Sequence, residues 1–179
     1  KFEDNAVLTS PAWPSLGTSG IKLDHNYITV NGGTNGLITA TRNGTAGQTC
    51  SGGSCSQIAE GVGIELNGTN NKVINLALSN LQMHFYGIND SALYSTTGIV
   101  ISGANAEVYN NTLSDMEAAI DAEAGGVLIH NNEMYNCNRQ LKIGGSTNWN
   151  NMSIYNNNFH DSYNWYEPSN AYHHNYIHA

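Results

Sequence analysis

Charge is scarce in this sequence. Six Lys and Arg stand against 14 Asp and Glu, charged residues make up 11%, and the formal net charge is −8. Soluble domains average roughly 25% charged residues. So few cations exclude a nucleic-acid partner, because phosphate contacts are made by Lys and Arg. They also exclude unassisted binding of a polyanion; an acidic glycan would need a bridging cation such as calcium. Long apolar runs are missing as well, and without a run of about 18 no helix spans a membrane. No signal peptide is visible, and the chain opens at Lys1 as a processed secreted protein would. Cysteine is reduced to three. Cys50 and Cys55 share the Gly/Ser loop TCSGGSC, which predicts a disulfide, with metal binding as the alternative. Two thiols with no further ligand cluster make a poor zinc site. Cys137 is expected buried and unpaired.

Asparagine and glycine fill the space that charge leaves, with 27 Asn and 19 Gly. The asparagines are patterned. VYNNTL (108–113), IHNNEM (129–134) and IYNNNF (154–159) all fit apolar–x–Asn–Asn–x–apolar. Weaker copies are LDHNYI (23–28), VINLAL (73–78) and YHHNYI (172–177). The fourth positions are Asn26, Leu76, Asn111, Asn132, Asn157 and Asn175, spaced by 50, 35, 21, 25 and 18. An irregular repeat with a floor near 20 residues predicts a solenoid with insertions in some turns. The apolar runs are of strand length, bounded by Gly, Asn and Ser. One strand–turn–strand unit per coil follows. Its asparagines would tolerate left-handed backbone at the turns and hydrogen-bond the coils above and below.

The three Asn-Asn units and the stretch GIVISGANAEVYNNTL resemble the right-handed parallel β-helix of the pectin-lyase-like superfamily. The resemblance covers roughly residues 20–179. It implies an all-β fold, a single-stranded right-handed parallel β-helix with loop insertions at 42–60 and 82–97. Residues 1–19 would form an extended lead-in. The superfamily holds lyases, hydrolases, epimerases, phage depolymerases and non-enzymes, so the resemblance speaks to fold more than to activity. The Asn-Thr-Asp, Asp-Asp, Gly-His-Gly and Arg-x-Lys motifs of its polygalacturonase-like members are absent, and RQLK (139–142) is one residue too long. No cap is visible at either end. The expectation is a piece of a longer solenoid, with end-to-end self-association as the alternative.

Stacking predicts columns of neighbouring side chains. Ten residues after each reference position stand Tyr86, Asp121, Lys142 and Glu167; eight after, His84, Ala119, Gln140 and Trp165; six after, Gln82, Glu117, Asn138 and Tyr163. Glu123 lies close by. Coils about 4.8 Å apart would gather these on one outward face. Opposite charges on adjacent strands can simply pair, for about 0.2–1 kcal/mol. The sharper expectation is a glycan groove with Asp121, Lys142 and Glu167 as catalytic groups. His84, Tyr86, Glu117, Glu123, Gln140, Tyr163 and Trp165 would bind substrate. Asp121 and Glu167, two coils apart at roughly 9–10 Å, would suit an inverting hydrolase pair. In a lyase, Lys142 or Tyr86 would be the base. Arg139, or calcium held by Glu117, Asp121 and Glu123, would neutralise the developing charge. No dedicated metal site is expected.

Sequons at Asn43, Asn67, Asn89, Asn110 and Asn151 suit a secreted glycoprotein; Asn110 is expected in the ladder and hard to reach. The functional expectation is a secreted lyase or hydrolase acting on an extracellular polysaccharide. The alternative is a non-catalytic structural, adhesive or glycan-binding solenoid.

Overall fold

The computed structural model describes residues 1–10, 19–40, 50–51, 54–55, 61–81, 96–144, 149–162 and 175–178. The first strands are β1 (Val7–Ser10), β2 (Ile21–Leu23) and the long β3 (Thr29–Ala40). The short β4 (Cys50–Ser51) and β5 (Ser54–Cys55) follow, then β6 (Val62–Leu66) and β7 (Lys72–Ser79). Then the repeat becomes regular. One unit is β8 (Thr97–Ile101), β9 (Glu107–Tyr109) and β10 (Thr112–Ser114). The next is β11 (Ala118–Ala122), β12 (Leu128–His130) and β13 (Glu133–Tyr135). The third is β14 (Arg139–Ile143), β15 (Ser153–Tyr155) and β16 (Asn158–His160), and β17 (Asn175–His178) comes last.

The protein is all-β among its described residues, and its two large sheets are parallel throughout. The six-stranded sheet runs β17-β14-β11-β8-β6-β2. The nine-stranded sheet runs β15-β12-β9-β7-β10-β13-β16, with β3 on β7 and β1 on β3. Each unit therefore visits the smaller sheet once and the larger sheet twice. Inner strands pair with their counterparts in the unit before and the unit after, as Ile99, Ile120 and Leu141 do. Among the described residues only β4 and β5 pair antiparallel, with Cys50 opposite Cys55. Their side chains lie outside what is described, and no disulfide is present among the described residues.

The corners explain the asparagines. Asn75, Asn110, Asn131 and Asn156 all have φ between 53° and 56°. So do the flanking columns Asn70, Asn105, Gly126, Asn151 and Asn80, Asp115, Asn136, Asp161, with φ from 48° to 72°. In each unit the left-handed positions are five residues apart. Left-handed backbone strains most side chains, and Asn, Asp and Gly tolerate it best. The first Asn of each pair thus makes the bend. The second turns inward. Asn132 Oδ1 accepts from the Asn111 backbone N–H and side-chain amide, both at 3.0 Å, while Asn132 Nδ2 donates to the Val108 carbonyl at 2.9 Å. Asn157 repeats this beneath Asn132, and Asn111 above it serves the Leu76 N–H. The ladder is Asn111–Asn132–Asn157, buried at Asn111 and Asn132 and half-buried at Asn157.

Two expectations are corrected here. Asn110 is exposed at the bend, and its buried neighbour Asn111 carries the ladder. Asn26 and Asn175 stand outside the ladder: Asn26 accepts from the Thr69 N–H, and Asn175 begins β17 in the other sheet.

Side chains from both sheets merge into one apolar cluster, including Ile64, Ile99, Ile120, Leu113, Ile129 and Met134. Cys137 is fully buried within it, and burial pushes its thiol pKa up to about 12. It is inert as a nucleophile.

Candidate functional site

On the smaller sheet the strand alternation places Lys22, Glu65, Val100, Asp121, Lys142 and His178 in one column. Asp121 and Lys142 are adjacent as expected, and Lys142 Nζ lies 2.5 Å from Asp121 Oδ2. Their other neighbours differ from the expectation. Val100, rather than Tyr86, flanks Asp121, and His178, rather than Glu167, flanks Lys142. Counting from Leu76 fails because 35 residues separate Lys72 from its partner Glu107, against 21 from Glu107 to Leu128. His84, Tyr86, Tyr163, Trp165 and Glu167 lie outside the described residues, as do Asn43 and Asn89.

Asp121 is 7% exposed, and its Oδ1 has no hydrogen-bond donor among the described residues. Burial raises its pKa, and the Lys142 ammonium opposes that rise. Glu117 is buried and paired with the Arg139 guanidinium, and its backbone N–H donates to Thr96 Oγ1. Gln140 was expected to face outward and is instead 0% exposed, its amide donating to the His160 carbonyl. The reason is a local break in alternation: Ala119 and Ile120 both reach the core, and Gln140 and Leu141 stand directly beside them. Glu123 is half-buried beside Ser102. The three carboxylates Glu117, Asp121 and Glu123 therefore do not form a calcium site. Among the described residues no group of three His, Cys, Asp or Glu converges as metal ligands.

A second constellation lies on the larger sheet. The residue before each Asn-Asn pair points outward, and here those residues are Tyr109, His130 and Tyr155. Their rings stack with centroids 4.9 and 4.8 Å apart and planes within 7°. Next to them Lys72 Nζ meets Glu107 Oε2 at 2.5 Å, and Glu107 Oε1 meets His130 Nε2 at 3.2 Å. His130 Nδ1 lies 3.1 Å from the Asn131 amide, so both ring nitrogens are engaged. The following facet repeats the theme. Tyr135 stacks on His160 at 5.1 Å, and His160 bridges Asp161 at 2.8 Å and Glu133 at 3.4 Å. His130, in the middle of the stack, is 9% exposed. The open ring face belongs to Tyr155, 46% exposed. Sequence reasoning missed this row, although each member occupies the same place in the three quoted units.

Glu107 is held below the usual carboxylate range, chiefly by the hydrogen bond from Lys72, with His130 adding to it. A lowered folded pKa gives stability that is present above the unfolded value of about 4.3 and is lost as pH falls through the folded value. With Lys72 45% exposed, its contribution is under about 1 kcal/mol. Lys72→Met should thus be less stable than the parent at neutral pH. The gap should close near pH 3, as urea melts at both pH values would show. A gap of unchanged size at low pH would mean that lost packing, not charge, is responsible.

Besides Asn110, two sequons fall on described residues. Asn151 is exposed at a left-handed bend. The Asn67 amide is held by Asp24 at 2.8 Å and Glu65 at 3.0 Å. Among the described residues no helix is long and apolar enough to cross a membrane. Against this geometry, no family model, no curated protein and no solved structure matches the chain.

Proposed function

We propose that this chain is an extracellular glycan-binding protein built as a single right-handed parallel β-helix of the pectin-lyase-like kind. The observation that carries the reading is the outward row Tyr109–His130–Tyr155 with Glu107 and Lys72 alongside. The row offers phenol, imidazole, carboxylate and ammonium groups at one-coil spacing along the sheet. Hydroxyl-rich chains are held by such mixed donors and acceptors, and an open aromatic face such as that of Tyr155 suits the apolar side of a sugar ring. The net charge of −8 favours a neutral polysaccharide over a uronate. The low-charge surface and the exposed sequon at Asn151 support secretion.

The test is retardation in native gels cast with a panel of neutral and acidic polysaccharides. A neutral glycan should retard the protein, and Tyr155→Ala should weaken retention at least about tenfold, the scale of one stacked sugar contact. No retardation by any glycan would overturn the reading.

One observation favours catalysis instead: the buried Asp121, one oxygen on Lys142 and the other without a partner among the described residues. On that reading Asp121 and Lys142 would act on an extracellular polysaccharide. Absorbance near 235 nm during mixing with uronate polysaccharides, with and without calcium, reports a lyase, and new reducing ends report a hydrolase. Either signal, abolished by Lys142→Ala, would replace the binding reading with an enzymatic one.

A further inference from the structure

The three described sequon asparagines, Asn67, Asn110 and Asn151, are held differently. A primary amide has two N–H donors. The Asn67 amide gives its donors to two carboxylates, Asp24 and Glu65. The Asn110 amide makes one long hydrogen bond, donating to Asn75 Oδ1 at 3.4 Å, and the residue is exposed. N-glycosylation replaces one amide hydrogen. Asn110 can therefore carry a sugar and keep its bond to Asn75, whereas Asn67 would lose a bond to a carboxylate. The backbone is undisturbed too, because Asn110 only makes the left-handed bend, at φ 56°, and Asn111 carries the ladder.

The corner beside Asn110 also has room for an attached group. Asn31 pairs with Ile74 and Gly36 with Leu76, so Gly32, Gly33, Thr34 and Asn35 stand where the next unit has Asn75 alone. Between this enlarged corner and the bends at Asn75 and Asn110 lies a recess of about 250 Å3. Asn110 and Thr112, the first and third members of the sequon, both line it, together with Asn35, Asn75 and Ala77. Drug-sized ligands take about 300–1,000 Å3, so the space suits one monosaccharide unit. Its described lining consists of amides, a hydroxyl, backbone and small apolar groups, with no charge. A neutral ring bearing hydroxyl and acetamido groups matches such a surface. The recess lies between β3, β7 and the β9–β10 bend, within the described coils.

We infer that Asn110 is an N-glycosylation site whose first sugar, an N-acetylated aminosugar, seats in this recess. The donor class is a lipid-pyrophosphate-linked oligosaccharide. Asn110 Nδ2 bonds to C1 of the reducing-end sugar as the C1–O bond to pyrophosphate breaks. The lipid pyrophosphate leaves with the electron pair, and one amide proton passes to solvent. The extended chain is the acceptor, and the fold then decides which products fold without loss. The inference rests on the extracellular reading above and not on glycan recognition by the Tyr109–His130–Tyr155 row.

The test expresses the whole chain through the secretory pathway of a eukaryotic cell. The secreted, folded protein is mapped by mass spectrometry after enzymatic release of N-glycans, which turns each occupied Asn into Asp. Asn110 should be occupied and Asn67 largely empty. Release from the native protein should be at least about tenfold slower at Asn110 than at the exposed Asn151, because a seated sugar must first leave the recess. Asn35→Gly keeps the left-handed φ of 59° and removes an amide from the recess, so it should narrow that gap several-fold. Asn151 occupied with Asn110 empty would overturn the site and leave the extracellular reading standing. Equal release at Asn110 and Asn151 would overturn the seating. No glycan at any sequon would remove the extracellular reading and this site with it.

Discussion

Asn132→Ala should cost about 3–5 kcal/mol, while Asn131→Gly, one residue away, should cost less than about 1. The two asparagines do different work. Asn132 is 2% exposed, and its side chain makes four hydrogen bonds, two accepted and two donated. Alanine would leave the Asn111 N–H and the Val108 carbonyl without these partners inside the protein. Each unmet buried group costs about 1–3 kcal/mol. Asn131 has φ 55°, and glycine adopts that backbone without strain. Its amide contacts only His130 Nδ1 in the described structure. Urea denaturation of both variants decides the matter. Domains of this size hold only about 5–15 kcal/mol in total, so Asn132→Ala should be visibly close to unfolding. Equal losses from the two substitutions would be incompatible with a buried ladder.

The second large effect is expected from Lys142→Met. Asp121 would then keep its burial and lose its only salt-bridge partner among the described residues. Breaking a fully buried pair costs about 3–5 kcal/mol. Lys142 is 33% exposed, so about 2–3 kcal/mol at neutral pH is the expectation here. The pH dependence identifies the cause. Asp121 has a raised folded pKa because burial disfavours its charge. A raised folded pKa gives stability that is complete below the unfolded value, about 3.9, and is lost as pH rises through the folded value. Removing the lysine removes the one influence that opposes this rise. The variant should therefore be strongly destabilised at pH 7 and nearly parental below about pH 4. Adding Asp121→Asn to Lys142→Met should restore most of the loss at neutral pH. A loss that persists in acid and survives the double substitution would assign the effect to the lysine's aliphatic stem.

How much of this was legible beforehand depends on distance along the chain. The neighbours Asp121 and Lys142 were foreseen because an uninterrupted 21-residue unit separates them. The same counting put Tyr86 and Glu167 beside them, and there the strands hold Val100 and His178. The repeat is short-range information, and extra chain between strands erases it. Parallel all-β architecture followed from strand-length apolar runs and left-handed-tolerant corners. The direction of Gln140 did not follow, because a strand that sends two successive residues to the core breaks the period of two on which the count relied. The row Tyr109–His130–Tyr155 was present in the quoted repeats. Its members follow the inward Val108, Ile129 and Ile154 on their strands, so alternation sends them outward once the register of those strands is fixed.

The constant five-residue step between bends has a consequence for growth. From β7 onward, the distance from the first to the second strand of the larger sheet is always five residues, as in Lys72 to Ala77 and Leu128 to Glu133. Extra chain enters elsewhere, on the way to and from the smaller sheet. From β8 to β14 the strands thus repeat every 21 residues, with neighbouring strands about 4.8 Å apart. Tandem duplication of a segment such as 118–138 would insert one such repeat and leave every ladder in phase. Duplication by any other number would have to place its surplus at the corners of the smaller sheet. Length in such a protein is a heritable quantity that can change in steps without a new fold.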